Sequence, residues 1–479
     1  MSIQRTILTG IRWTGLSSLF GVLIGFLQVA ILARYLEKSD FAWVAIAGVF
    51  VNIGIHLQQA GINTALVQRS NLTKIQLSTA YWFNIIGGFL LFTTAVPLAF
   101  LLKWAYSSPI LVPITVCYSF IFIIQAISVQ YKALLQKNFY FQVLAIGESL
   151  GIGAGFVFSI ITAVNDWGAF ALVGGYGVRY LAEAVWMLLV GRPYFMPGLV
   201  WNWQSIQPLL HFGGWHWAER LITHFTAQID VLLIGKLLGS EALGTYEVFK
   251  RVLVRPLNLL NEVFEKVTFP VFASLQNDVS QQKKIYLNLL SHLTAINLPV
   301  LIFLAIAAAP VVGLLFGTKW LEGVPIFQLL CGFCTLHFLL NPVDTLLLAN
   351  NKIKLWLYAN AAFVSLQAGL LTLGSAGGLA TMTLANVTAH AIFTLVIYIW
   401  IVLPQLQSNF VELLKTLVRP FVLTLLAATI LLPMLFFELN LLLLFIMVAF
   451  SIIVYIILNY FYNKDFVIIL WQFTRFKNQ

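Results

Sequence analysis

Five ionisable side chains, His216, Glu219, Arg220, His224 and Asp230, fall inside GGWHWAERLITHFTAQIDVLLIGKLLG, residues 213–239. That run is long enough to cross a bilayer and apolar enough to enter one. At 100° per residue, Glu219, His216, Thr223, Thr226 and Asp230 share a sector about 80° wide, with Arg220 and His224 off that stripe. The next run does the same: Glu247, Arg251, Arg255, Asn258, Glu262 and Glu265 also share about 80° of one face. Arginines in a row are fixed cations for an anionic group, and a planar guanidinium fits phosphate oxygens two at a time. Carboxylates alongside can hold those arginines or exchange a small cation.

Each such charge near the bilayer midplane costs about 2.5 to 3.5 kcal/mol, so both stripes must face protein or water. Folding the two runs back at residues 239–243 sets Asp230 level with Glu247 and Arg251, and Glu219 near Asn258 and Glu262. A dry seam of ion pairs is one solution. A water-filled cavity is the other, and we expect the cavity, because pairing needs few charges and the matching face of the first span offers only Ser18 and Gln28.

The elements that position these residues follow from composition. Of 479 residues 60% are hydrophobic and 9% charged, with a mean hydropathy of +0.92, outside the range of a water-soluble protein. The chain reads as an all-α polytopic membrane protein with fourteen spans, centred near residues 23, 51, 90, 121, 152, 179, 223, 255, 301, 337, 364, 390, 427 and 451. The run after Arg5 and Arg12 extends too far for a signal peptide and is read as a retained helix. With the amino terminus inside, seventeen of the 27 Lys and Arg fall on the cytoplasmic side, five outside and five within spans. This asymmetry favours an even number of spans with both termini cytoplasmic. It also accounts for the net charge of +10 without a nucleic-acid partner.

Placing residue 13 over residue 215 aligns Trp13 with Trp215, Gln28 with Asp230, Arg34 with Lys236 and Leu36 with Leu238. Six spans fit the interval, so the two halves share one orientation and should be related by a pseudo-twofold along the membrane normal. The expected domains are an N-lobe at 1–200, a C-lobe at 201–405, each of six helices, and a lipid-facing helix pair with a cytoplasmic tail at 406–479.

The remaining polar residues carry weaker signals. His56 and His292 have the chemistry to carry protons but read as isolated packing residues. Arg179 and Glu183, four apart, suit an intrahelical pair that Glu148 can join. Asp344, beside Pro342, either caps a broken helix or lines the passage. Cys331 and Cys334 read as packing residues, and no metal site is expected.

Five blocks then carry a family resemblance: AGINTALVQRSNLTKIQLSTAYWFN (60–84), ALLQKNFYF (133–141), DVLLIGKLLGSEALGTYEVFKR (230–251), FPVFASLQND (269–278) and LLFGTKW (314–320). They resemble the polysaccharide exporter branch of the multidrug/oligosaccharidyl-lipid/polysaccharide (MOP) flippase superfamily. The resemblance implies two six-helix lobes arranged as a V, with two extra helices, in the bacterial cytoplasmic (inner) membrane. It implies a cargo of oligosaccharide repeat units on undecaprenyl pyrophosphate, moved from the cytoplasmic to the outer leaflet by alternating access to a central polar cavity. The cationic role it implies falls on Arg251 and Arg255, then Lys250 and Arg220. Trp215 and His216, beside a carboxylate, suit either an interfacial anchor or stacking on a sugar ring, and Asn258 completes the lining. Glu219, Asp230, Glu247, Glu262 and Glu265 pair with the arginines or couple transport to a proton or sodium ion. The expected partners are the lipid-linked substrate and membrane lipids, with a polysaccharide polymerase and chain-length regulator, around a monomeric chain without cofactor. The rivals are an ion-coupled multidrug exporter, which would place an acidic residue in the first span, and an enzyme of the same pathway, which would carry a large external loop. The sequence has neither feature.

Overall fold

The computed structural model describes residues 3–60, 66, 72–435 and 441–462; within these, side chains at 3–9, 11, 59–60, 205–206, 208–223, 259–267, 353, 435, 441–442, 445 and 462 lie outside the description. The described residues are helical almost throughout and contain no strand. The helices are α1 (Ile3–Tyr35), α2 (Lys38–Ala60), α3 (Lys74–Tyr106), α4 (Leu111–Lys137), α5 (Phe141–Val164), α6 (Ala169–Gly191), α7 (Trp203–Leu238) and α8 (Ser240–Ser274). Then come α9 (Val279–Ile306), a short α10 (Ala308–Phe316), α11 (Val324–Ala349), α12 (Ile353–Gly374), α13 (Gly378–Ile397), α14 (Phe410–Ala428) and α15 (Leu441–Tyr462). Each of the fourteen expected centres falls inside one of these helices. Nine helical segments among the described residues are long and apolar enough to cross a membrane. Their surfaces carry Leu16, Leu23, Phe89, Leu90 and Leu425, all exposed, as a lipid-solvated surface requires.

Helix boundaries follow local chemistry. At the start of α3, Thr73 Oγ1 accepts from the Gln76 amide at 3.2 Å while Gln76 Oε1 accepts from the Thr73 amide at 3.0 Å, a reciprocal cap that satisfies two otherwise orphaned donors. Asp278 and Asn409 cap α9 and α14 through the amides of Gln281 and Glu412.

The chain divides into two compact units, Met1–Val248 and Phe249–Gln479. In the first, α5 lies against α6, α3 against α4, α4 against α6, and α7 against α2 and α3. A glycine row on α5 sets the closest approach: a Cβ at Gly151 would stand 2.6 Å from the Arg179 carbonyl oxygen, and one at Gly155 2.6 Å from that of Gly175. In the second unit, Phe249, Phe316, Trp320 and Phe327 form one aromatic knot. Tyr286 and Tyr398 meet hydroxyl to hydroxyl at 3.1 Å, and Tyr398 donates to the Leu339 carbonyl. The pair α14 and α15 is joined to α9 by Lys283–Glu412 at 3.1 Å and by Tyr455 Oη donating to the Ala295 carbonyl at 2.6 Å. Its outer face is apolar, but Ser451 and Asn459 are buried on the inner one.

Candidate functional site

The 202-residue offset holds at one turn between helices. Moved back by that interval, the end of α7 and the start of α8 fall at 36 and 38, against 35 and 38 for α1 and α2. Gly239, at φ +87°, supplies the left-handed residue that turns α7 into α8.

From His224 onward α7 presents a set of buried polar contacts. Asp230, 1% exposed, accepts a hydrogen bond from the hydroxyl of Tyr246 at 2.6 Å and from the Val231 amide at 2.8 Å. Tyr246, in the second turn of α8, is wholly buried. Asp230 therefore sits in a closed contact between the two helices. Lys236 donates to the Ala105 carbonyl at the end of α3, and Tyr106 donates to the Leu232 carbonyl at 3.0 Å. His224, off the polar stripe, turns to α2: its Nε2 lies 3.1 Å from the Val49 carbonyl, and its ring meets that of His56 edge to face at 5.4 Å. His56 thus has a titratable partner, where the sequence read it as isolated.

On α8, Glu247, Lys250 and Arg251 are half-buried, and Arg255 and Asn258 are exposed. The helix is continuous from Ser240 to Ser274, so the face predicted for Glu247, Arg251, Arg255 and Asn258 extends along about 16 Å at 1.5 Å per residue. Pro256 follows Arg255 inside the helix and removes the amide that would serve the Val252 carbonyl. Two arginines one turn apart can grip an anion with two planar forks. The side chains of Trp215, His216, Glu219, Arg220, Glu262 and Glu265 lie outside the described residues.

A second polar constellation lies in the first unit. Glu183 pairs with Lys132 of α4 at 2.6 Å, so its partner is across helices and not Arg179, whose guanidinium lies 5.6 Å from the centre of the Tyr180 ring. Both residues lie on the face of α6 that packs on Gly151 of α5, with the Arg179 carbonyl oxygen 2.6 Å and Glu183 Cβ 3.2 Å from where a Cβ there would stand. Glu148 accepts from Ser17 of α1 at 3.1 Å, and Gln28 donates to Ser159 at 3.0 Å. In the second unit, α11 passes through Pro342 unbroken, with Asp344 exposed on it, so no broken helix forms there. Cys331 and Cys334 are buried free thiols, and no group of three metal-ligating side chains occurs among the described residues.

A chain of long, lipid-faced helices with buried ionic contacts and a cationic row has the build of a polytopic membrane transport protein. Residues 31–325 match the family described as polysaccharide biosynthesis protein, and the chain belongs to that family. It is 28% identical over 428 residues to the lipopolysaccharide biosynthesis protein WzxC of Escherichia coli K12, covering 89% of this chain and 87% of that protein. It is 28% identical over 429 residues to the teichuronic acid biosynthesis protein TuaB of Bacillus subtilis 168, covering 88% of each. In fold it is similar to the lipid II flippase MurJ in an inward closed conformation, with a TM-score of 0.74 at 13% identity over 95% of this chain and all of that one. The resemblance to polysaccharide exporters read from the five sequence blocks is borne out, and the fold is also similar to that of a multidrug resistance MATE family transporter of the MOP superfamily, with a TM-score of 0.61 at 13% identity over 81% of this chain and 95% of that one.

Proposed function

We propose that this protein is a flippase that moves undecaprenyl-pyrophosphate-linked oligosaccharide units from the cytoplasmic to the outer leaflet of the bacterial inner membrane, where a polymerase extends them. The observation that carries this reading is the family match across residues 31–325, joined to relatives named for lipopolysaccharide and teichuronic acid biosynthesis that align over almost the whole chain. The fold is one that a lipid II flippase uses, so such an architecture can carry a lipid-linked cargo, although fold alone assigns none. The same relatives favour a flippase over a multidrug exporter and a transporter over an enzyme of the pathway.

The mechanism follows from solvation. An isoprenoid tail is at home in the bilayer, whereas a diphosphate bearing sugars is not, and it crosses only where fixed positive partners and polar side chains replace its water. Arg251 and Arg255 supply those partners, and Lys250 and Arg220 add charge. Asn258, His216 and Trp215 offer hydrogen bonds and a ring face for the sugars. Glu219, Asp230, Glu247, Glu262 and Glu265 hold the cations in place or exchange a proton or sodium ion that drives the cycle. Alternating access between lobes at 1–200 and 201–405 then exposes the site to one leaflet at a time. The termini are cytoplasmic, the chain acts as a monomer, and a polymerase with its chain-length regulator receives the product.

The test is the double variant Arg251→Ala, Arg255→Ala, reconstituted in vesicles containing a lipid-diphosphate oligosaccharide. Translocation should fall to background while the protein reaches the membrane in normal amount. Full transport by the folded double variant would overturn the assignment of the arginines.

A further inference from the structure

The contact between α2 and α7 holds two imidazoles to which neither the arginine row nor the family match gives a task. The centroids of His56 and His224 are 5.4 Å apart, with the ring planes inclined at 60°. His224 Nε2 lies 3.1 Å from the Val49 carbonyl oxygen. A carbonyl only accepts, so that nitrogen carries its hydrogen, and the ring is pinned to the helix it faces. Val49 and His56 are two turns apart on one face of α2, so a single face both anchors one ring and presents the other. Both rings are half-buried, while Val49 and Ile55 beside them are buried.

We propose that His56 and His224 form one proton-binding site that couples protonation to the transport cycle through the α2–α7 contact. The proposal rests on the flippase reading and names the coupling ion that reading leaves open. One added proton resides on one ring with the other turned toward it, as a cation beside a π face. A second proton is opposed, because two imidazolium ions at this separation repel strongly where water is scarce, so the pair titrates in two separated steps. Loading the site converts a neutral contact between two helices into a charged one that favours hydration. That changes the relative stability of any two states differing in the α2–α7 contact.

Other titratable groups stand on the elements packed around the two rings. On α3, Gly88 approaches Gln58 of α2, and the turn on either side of Gly88 has no titratable residue. On α4, Phe122 meets Gly54 and accepts from Gln58 through its carbonyl; the titratable groups nearest to it in that helix are Cys117 and Tyr118. On α6, Tyr176 stacks on Tyr118 at 5.3 Å, followed by Arg179 and Tyr180. On α7 itself Asp230 is held by Tyr246, and Glu219 and Arg220 stand about one turn toward the amino terminus.

The experiment compares the wild-type protein with His56→Gln, His224→Gln, which keeps polar side chains of similar reach and removes both titrating groups. Purified wild-type protein shifted from about pH 8 to about pH 5.5 should take up about one proton more than the double variant; equal uptake overturns the proposal. In vesicles, one proton moved per cycle shifts the steady-state distribution of the lipid-diphosphate oligosaccharide about tenfold per unit of imposed pH gradient. The double variant should still translocate but ignore the gradient, and a full gradient response in it overturns the coupling. Should the double variant not assemble, histidine-selective nitrogen NMR of the wild type decides: two coupled steps support the site, and two rings titrating independently near the free-histidine value overturn it. A wild type that moves no lipid-diphosphate oligosaccharide defeats the flippase reading instead, and proton uptake still decides the site.

Discussion

Asp230 is a carboxylate, 1% exposed, whose burial has to be explained by its partners. The Tyr246 hydroxyl donates to it at 2.6 Å and the Val231 amide at 2.8 Å, and hydrogen bonds to a charged group are worth about 1.5 to 3 kcal/mol each. Replacing Tyr246 with Phe keeps the buried ring and removes the donor. We expect the variant to lose about 1 to 3 kcal/mol of stability, read as a lower unfolding midpoint in detergent; a midpoint equal to wild type would show that other contacts satisfy the carboxylate. Charge pattern identified Asp230 in the sequence but passed over Tyr246, which stands about 100° around α8 from Glu247 and reads as an ordinary apolar-face aromatic. His56 and His224 were each visible and their meeting was not, because nothing in either neighbourhood marks the other.

At the scale of elements, the sharpest constraint is the point where α8 starts beside α2. A Cβ on Gly244 would stand 1.8 Å from the Lys38 backbone oxygen, and neither backbone can yield without moving a helix. Gly244→Ala should therefore sharply reduce the yield of folded, monodisperse protein. Gly153→Ala, where an added Cβ meets nothing within 4 Å, should be neutral or stabilise by up to about 1 kcal/mol, since alanine is the better helix former. Size-exclusion profiles of the two variants make the comparison, and a well-behaved Gly244→Ala protein would show that α2 and α8 are less tightly apposed than described. The helices themselves were legible, because span length and hydropathy are properties of consecutive residues. The 202-residue offset holds to within a residue at the α1–α2 and α7–α8 boundaries. Of the two readings of Asp344, the broken helix is excluded, since α11 carries Pro342 internally without ending. Nor did the Arg179–Glu183 pair form, because Lys132 of a neighbouring helix reaches Glu183 first.

For the whole molecule, the proposed topology has the α3–α4 connection outside and the α4–α5 connection in the cytoplasm. Alkaline phosphatase fused after Ser108 should be active, and fused after Asn138 inactive; the reverse pattern would invert the proposed direction of transport along with the topology. The sequence by itself determined that the chain lives in a membrane as a row of helices, and which family it belongs to. Each of these is written in runs and blocks of neighbouring residues. Only the tertiary structure decided which polar groups meet: Asp230 with Tyr246, Lys132 with Glu183, His224 with His56. Such meetings depend on the rotation and tilt of one helix against another, which are set by the packing of whole faces, such as the glycine row of α5 on α6, and have no local signature in the chain.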